Sequence, residues 1–380
     1  MTGWADRFAS FEGVAYLDVA SQGPLPLAAA RAGREALELA ERPDRLTDGL
    51  FVALPGEVRA LYARLFSCRE ESVALVTGAG AVVNAVARGL ELEEGDEVLL
   101  PPGEFPSNYY PWLWLGRRGV KVVEVEPDPA TGAVSAERLA SRIGPRTRVV
   151  AFSHVSHLHG GRIDPAPVVD AARKAGAVTV VDGSQAAGAL PFDFGASGVD
   201  AYAACASKFL LGPYGTAVGL FSPALLARIA VGDINWWSVK GSDDFDHLPR
   251  GSFELRAGAR RYDAHATASV NTLMPLVQSL RLVLEVTPAA VQTHCREIVD
   301  RILDRLPAGF RAASPLEPGS RSHVVCIAAE TRDETRAAHE RLLAARVRVA
   351  LRGDRLRVGP HLHASLSDAD RLVSALAAGT

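Results

Sequence analysis

Lysine is scarce in this chain. Lys and Arg together number 41, yet only Lys121, Lys174, Lys208 and Lys240 are lysines, so lysine chemistry has four candidates. Cysteine is scarce as well: Cys68, Cys205, Cys295 and Cys326 are widely spaced and make no C-x-x-C pair. In a chain this long, that spacing reads as reduced thiols. No apolar run reaches the ~18 residues a membrane span needs, and the opening MTGWADRFASFEG carries no apolar signal core. A cytoplasmic protein without a membrane partner is expected. There is no long basic run and the formal net charge is −3, so nucleic acid is not an expected partner. Internal repeats and low-complexity tracts are also missing.

What is present is an ordinary globular composition, 48% hydrophobic and 22% charged over 380 residues, enough for two domains or one large core with a lobe. Between about residues 70 and 222, β-like runs alternate with helical patterns: SVALVT (72–77), DEVLL (96–100), VKVVEVE (120–126), TRVVAFS (147–153), VTVVD (178–182), DAYAAC (200–205) and TAVGLF (216–221). Their near-continuous apolar character suits strands buried on both faces, and the alternation predicts an α/β fold with a mainly parallel sheet covered by helices. Residues 231–262 then look loop-rich, 266–306 mainly helical, and a smaller α+β unit starts with HVVCIAA at 323–329. The expected organisation is an N-terminal arm at 1–15, a large domain at 16–255, and a C-terminal small domain with its connecting helix at 256–380.

In an open parallel sheet, ligands bind beyond the carboxyl ends of the strands. SVALVT delivers Thr77-Gly78-Ala79-Gly80 to that edge, a turn feeding a helix N-terminus whose free N–H groups suit a phosphate. DEVLL delivers Glu104, Phe105, Pro106, Ser107 and Asn108; TRVVAFS delivers His154, His157 and His159; VTVVD delivers Asp182, Ser184 and Gln185; DAYAAC delivers Ser207 and Lys208. Singly, each has a bland reading. Asp182 would cap a following helix, Lys208 would be a surface lysine, and Val83 stands where a dinucleotide fingerprint needs its third glycine. Together they match what pyridoxal phosphate requires. The set is a phosphate cradle, an aromatic plate, a lysine for the aldehyde and a carboxylate that keeps the pyridine nitrogen protonated. A desolvated lysine beside a cationic ring has a lowered pKa, which suits both imine formation and proton transfer.

These residues resemble the aminotransferase class V branch of the fold-type I pyridoxal-phosphate enzymes, with cysteine desulfurases, isopenicillin N epimerase-like proteins and kynureninases. The resemblance runs from YLDVASQGPLP (16–26) to RVGPHLHASLSDADRLV (357–373). It implies Asp182 on the pyridine nitrogen, Gln185 near the ring hydroxyl, Lys208 as the Schiff-base lysine, and Cys205 and Ser207 flanking the phosphate. GEFPSNYYPW is similar to the kynureninase-like F-P-[ST]-[DN] pattern, which implies Phe105 stacked on the ring with Asn108 nearby. SHVSHLHGG matches S-H-V-S-N-x-x-G with His157 in the asparagine position. The resemblance also implies Ala79 and Gly80 in the phosphate turn, with Gly80 where family members often have a threonine. NWWSV implies Trp236 near the phosphate of the partner subunit, at a homodimer interface where His265-Ala266 replaces the usual G-T. LRGDRLRVGPHLH implies Arg357 as the clamp on the substrate carboxylate; read alone, Arg357 would be a surface arginine on an edge strand.

A desulfurase needs a nucleophilic cysteine just before that arginine. None lies between Val347 and Arg357, and Cys326 falls inside an apolar strand. The expectation is therefore a homodimeric enzyme acting on a small amino acid through a Cα carbanion or quinonoid. An aminotransferase comes first, with β-elimination of C–S or C–X bonds or epimerisation as alternatives. A metal-dependent hydrolase built on His154, His157 and His159, and a cofactor-free binding module, are the competing classes.

Overall fold

The structure, a computed structural model, describes residues 3–378. Its strands in chain order are β1 (Ala15–Tyr16), β2 (Val73–Val76), β3 (Glu97–Leu100), β4 (Lys121–Glu124), β5 (Thr147–Ser153), β6 (Val178–Asp182), β7 (Ala201–Cys205), β8 (Ala217–Phe221), β9 (Phe310–Ala312), β10 (Val325–Ala329), β11 (Val347–Arg348), β12 (Ala350–Arg352) and β13 (Arg355–Val358). Seven of them form one sheet in the order β2-β8-β7-β6-β5-β3-β4. Only β8 runs against its neighbours; the remaining strands point the same way. The carboxyl ends of β2 through β7 therefore share one edge, joined there by the amino end of β8.

Strands β5 and β6 bury nearly every side chain because both faces are covered. One face packs on helices Asp48–Leu65 and Val270–Val286, through residues such as Val58, Tyr62, Phe152, Leu273 and Leu276. The other packs on Ala79–Gly89 and Pro106–Trp114, through Val82, Val86 and Trp112. Local chemistry fixes the connecting helices. In Pro165–Ala175, Asp164 caps by accepting from Ala166 N, Pro165 starts the helix, and Gly176 ends it at φ 70°. Thr287, also at positive φ, breaks the helical stretch after 266 into Val270–Val286 and Pro288–Asp304.

A second, antiparallel sheet has the order β12-β13-β10-β9 and its own apolar core under Arg332–Ala344 and Leu366–Ala377. The amino-terminal segment ties the two sheets together. β1 pairs with β11, Asp18 bridges to Gly359, and Gly23 N donates to Ser207 O at 2.7 Å. A side chain at Gly23 would strike the Lys208 carbonyl, so this close passage requires glycine.

Candidate active site

Eight of the site residues expected from sequence come from the ends of five strands, and the fold brings them to one cavity of about 440 Å³. Ala79 and Gly80 start the helix after β2, Phe105 follows β3, His157 follows β5, Gln185 follows β6, and Cys205, Ser207 and Lys208 follow β7. Arg357, on β13 of the small sheet, lines the same cavity. It is 2% exposed, so it is not a surface arginine.

Asp182 lies beneath this lining. It is buried, and its Oδ1 accepts from Ser184 N at 2.8 Å; Ser184 Oγ in turn accepts from Cys205 N. No helix follows it directly, only a turn through 183–190, so the capping role does not apply. Asn108 is buried behind Phe105 and donates to Glu104 Oε2 at 2.9 Å rather than lining the cavity. Trp236 is also outside the lining of its own chain: it starts the turn Trp236–Ser238, partly exposed against Trp237. The three histidines diverge. His157 meets the Phe105 ring edge-on at 5.2 Å, His154 is enclosed by Phe192 and Tyr202, and His159 Nδ1 accepts from Gly161 N. Among the described residues no cluster of His, Cys, Asp and Glu is arranged to hold a metal ion.

Lys208 Nζ sits 5.2 Å from the Phe105 ring centroid. Burial pushes its pKa below the ordinary lysine value, opposed by Asp182 and Cys205 and aided by Arg357 and Arg352. His157 is lowered to about 4, first by burial and then by Lys208, Arg357 and Arg352, so its imidazole is neutral at pH 7. Cys326 is buried against Leu158 O and burial pushes its thiol up to about 11, which makes it inert.

Several contributors were not assigned from sequence. Arg352 lines the cavity, and its Nη2 donates to Ser21 Oγ at 3.0 Å; Arg357 Nη2 donates to the same oxygen at 2.7 Å. Arg357 also donates to His157 O and Asp18 Oδ1, so much of its fork is already engaged. Arg352 forms no ion pair among the described residues. The hairpin register explains the pair: Ala350 faces Arg357, which puts Arg352 on the same face as a diagonal neighbour. Glu104 is the other addition. Its carboxyl accepts from Ser153 N, Ser153 Oγ and Asn108 Nδ2, and burial raises its pKa to about 7.

The lining fits pyridoxal phosphate on features of the chain itself. The helix starting at Ala79 has no side-chain cap, the Ser207 side chain lines the cavity without a hydrogen bond among the described residues, and Gln185 Oε1 is buried without a partner. A buried carboxylate and a buried, pKa-depressed lysine complete the set.

Comparison with known proteins agrees. The family model for aminotransferase class V matches residues 45–361. Isopenicillin N epimerase of Streptomyces clavuligerus is 30% identical over 97% of this chain and 95% of its own. A probable cysteine desulfurase of Methanothermobacter thermautotrophicus is 32% identical over 53% of this chain and 51% of its own. Among solved structures, the cystine C–S lyase C-DES in complex with cysteine persulfide matches with TM-score 0.85 at 22% identity, covering 97% of this chain and 99% of that one. A variant of C-DES with glycine covalently linked to its pyridoxal-phosphate cofactor matches with TM-score 0.84 at 21% identity over 98% of each chain. With a fold, a cavity lining and a family match that agree, the chain belongs to the aminotransferase class V family of pyridoxal-phosphate-dependent enzymes.

Proposed function

We propose that this enzyme removes the Cα proton of a small amino acid and that a proton is then delivered to the opposite face of that carbon, so that the outcome is epimerisation. The observation that carries the proton-transfer step is Lys208: a buried amine with a lowered pKa, over the Phe105 ring, in a cavity that also presents Arg352 and Arg357. Bound pyridoxal phosphate supplies an electron sink that makes the Cα–H acidic. Lys208 would hold the cofactor through its amine and, once freed by the substrate amine, would move the Cα proton. Asp182 would keep the pyridine nitrogen protonated, and Gln185 and His157 would offer hydrogen bonds to the ring substituents. Ala79, Gly80, Cys205 and Ser207, which line the cavity, would hold the phosphate. Arg357, fixed by Asp18 and His157 O, and Arg352, joined to it only through Ser21, orient the substrate carboxylate.

Epimerisation stands ahead of transamination because the relative matched over nearly the whole of both chains is an epimerase. β-Elimination by the desulfurase route has less support, since no cysteine lies in the segment before Arg357. The expected homodimer belongs to the same reading. Tyr110, Trp114 and Tyr214 stand exposed around Gly80 and Ser107, and Trp236, outside the lining of its own chain, would meet a cavity from another copy.

The test incubates the cofactor-loaded protein with a panel of amino acids in deuterium oxide. Deuterium at Cα with loss of optical purity, and no keto acid or ammonia, supports epimerisation. Keto acid formed only with an acceptor would assign transamination instead, and ammonia without an acceptor would assign elimination.

A further inference from the structure

Strands β5, β6 and β7 lie side by side in the large sheet, with β6 in the middle. Their carboxyl ends place Asp182 at the centre, Lys208, after β7, on one side, and His157, after β5, on the other. At about 4.8 Å per strand, the two flanking strand ends stand roughly 10 Å apart, which leaves room for a small amino acid between them. Both side chains line the cavity, and they meet the Phe105 plate differently. Lys208 Nζ stands over the ring at 5.2 Å, whereas the His157 imidazole is set at an interplanar angle of 87° to it. His157 Nδ1 is buried without a partner, which leaves Nε2 as the nitrogen open to the cavity. The main-chain oxygen of the same residue accepts from Arg357 Nη1 at 2.7 Å, so His157 is tied to the carboxylate clamp. An epimerase must serve both faces of one carbon, and Lys208 serves one. Cys205 and Tyr214 also line the cavity, but they lie on the segment that carries Lys208, one on β7 and the other in the turn after it. The guanidiniums of Arg352 and Arg357 do not give up protons. His157 is the titratable side chain of the lining that comes from the other side.

We propose that His157 is the second proton carrier of the epimerisation: its imidazole hands a proton to the face of Cα opposite Lys208, and takes one from that face in the reverse direction. The assignment rests on the epimerisation reading above. The substrate enters as an ammonium and brings one proton more than its bond to the cofactor keeps. That proton passes to His157 Nε2 as Lys208 is freed as an amine. Lys208 Nζ then takes the Cα proton, and the electron pair of that bond moves into the cofactor ring. The imidazolium gives its proton to the opposite face as the pair returns to carbon. His157 is neutral again, and the product leaves as an ammonium with the proton that Lys208 took, so protons and electrons balance. At rest, burial and then Lys208, Arg357 and Arg352 hold His157 at about 4. A substrate carboxylate on the two guanidiniums offsets both of those charges, and the imidazole then binds a proton more readily. A hydrogen bond from Nδ1–H to a ring oxygen keeps Nε2 as the basic nitrogen.

The experiment compares wild type, His157→Asn and His157→Gln, whose amides keep a hydrogen bond at the ring but cannot carry the proton. The cofactor-loaded proteins are incubated in deuterium oxide with each epimer of an amino acid that the wild type interconverts, and deuterium at Cα and optical purity are followed separately. The cofactor-free proteins supply the equilibrium affinity for pyridoxal 5′-phosphate, and thermal unfolding checks that each folds. Both variants should epimerise at least ~10²-fold more slowly. The epimer whose Cα–H faces Lys208 should still gain deuterium with its configuration kept, while exchange from the other epimer falls as far as epimerisation does. Affinity for pyridoxal phosphate should stay within about 3-fold of wild type, since the hydrogen bond survives. Epimerisation near the wild-type rate in either variant overturns the assignment. Equal losses of exchange from both epimers also overturn it, and weaker cofactor binding alongside them would show that His157 only holds the cofactor. A wild type that exchanges Cα–H but never loses optical purity refutes the epimerisation reading itself, which is a separate result.

Discussion

Replacing Glu104 by glutamine isolates the energetic effect of a charge placed under the aromatic plate. The carboxyl follows β3 and accepts from Ser153 N at 2.8 Å, Ser153 Oγ at 2.6 Å and Asn108 Nδ2 at 2.9 Å. Burial raises its pKa from 4.5 to about 7, these hydrogen bonds oppose the rise, and the nearby Asp182 charge adds to it. A raised acid binds its proton more tightly in the folded chain than in the unfolded one. Its contribution is therefore fully present below the unfolded pKa and is lost as pH rises through the folded pKa. At about 1.36 kcal/mol per pH unit the full loss is roughly 3 kcal/mol, of which about 2–3 kcal/mol falls between pH 5 and pH 8. Glutamine removes the charge and keeps the shape. Its amide requires one donor-to-acceptor exchange, which the site permits: Asn108 Oδ1 is buried without a partner, and turning the Asn108 amide presents that oxygen to the new N–H. Urea unfolding of both proteins at intervals from about pH 5 to pH 8 gives the comparison. Contributions from the histidines cancel in the difference. The account predicts that Glu104→Gln gains roughly 2–3 kcal/mol on the wild type across that range. Parallel stability curves would mean that Glu104 ionises freely in the folded protein and that the reasoning is wrong.

Other predictions follow from the same structure. His154 is buried with both ring nitrogens unpartnered, and burial lowers its pKa from 6.5 to about 3. Its stabilising contribution is present above the unfolded value and lost as pH falls, so His154→Phe should lose about 2 kcal/mol less than wild type on going from pH 7 to pH 5; equal losses in chemical denaturation would contradict this. Arg352→Leu should lower the preference for an amino acid over the corresponding amine by ~10–100-fold in spectral titrations of the loaded enzyme, and an unchanged ratio would remove Arg352 from the substrate site. Asp263 forms a buried ion pair with Arg59 at 2.6 Å and accepts from Leu75 N at 2.8 Å. Asp263→Ala should therefore cost about 3–5 kcal/mol in urea unfolding, and a loss under about 1 kcal/mol would show the pair to be dispensable.

Much of the large sheet was legible because its central strands are buried on both faces, and β5 and β6 match the runs TRVVAFS and VTVVD residue for residue. Asp182 and Lys208 were legible for a related reason: a parallel sheet delivers polar groups at its carboxyl edge, and lysines are few. Helices Leu27–Glu41 and Asp48–Leu65 were not read, since no β-like run flanks them to set a rhythm. Arg352 and Ser21 were missed because their proximity depends on pairing between segments more than 300 residues apart, through β1 with β11 and Asp18 with Gly359. The alternation of Arg352, Arg355 and Arg357 on one hairpin face was the available signal, but nothing local says which arginine faces a cavity.

The central claim is that Lys208 moves the Cα proton of a bound amino acid. Its most direct test is the rate of Cα hydrogen–deuterium exchange in an amino acid that the loaded enzyme binds, compared between wild type and Lys208→Ala. The account predicts rapid exchange by the wild type and a loss of at least ~10²–10⁴-fold in the variant, with pyridoxal phosphate still able to bind through its phosphate. Exchange that continued near the wild-type rate without Lys208 would contradict it.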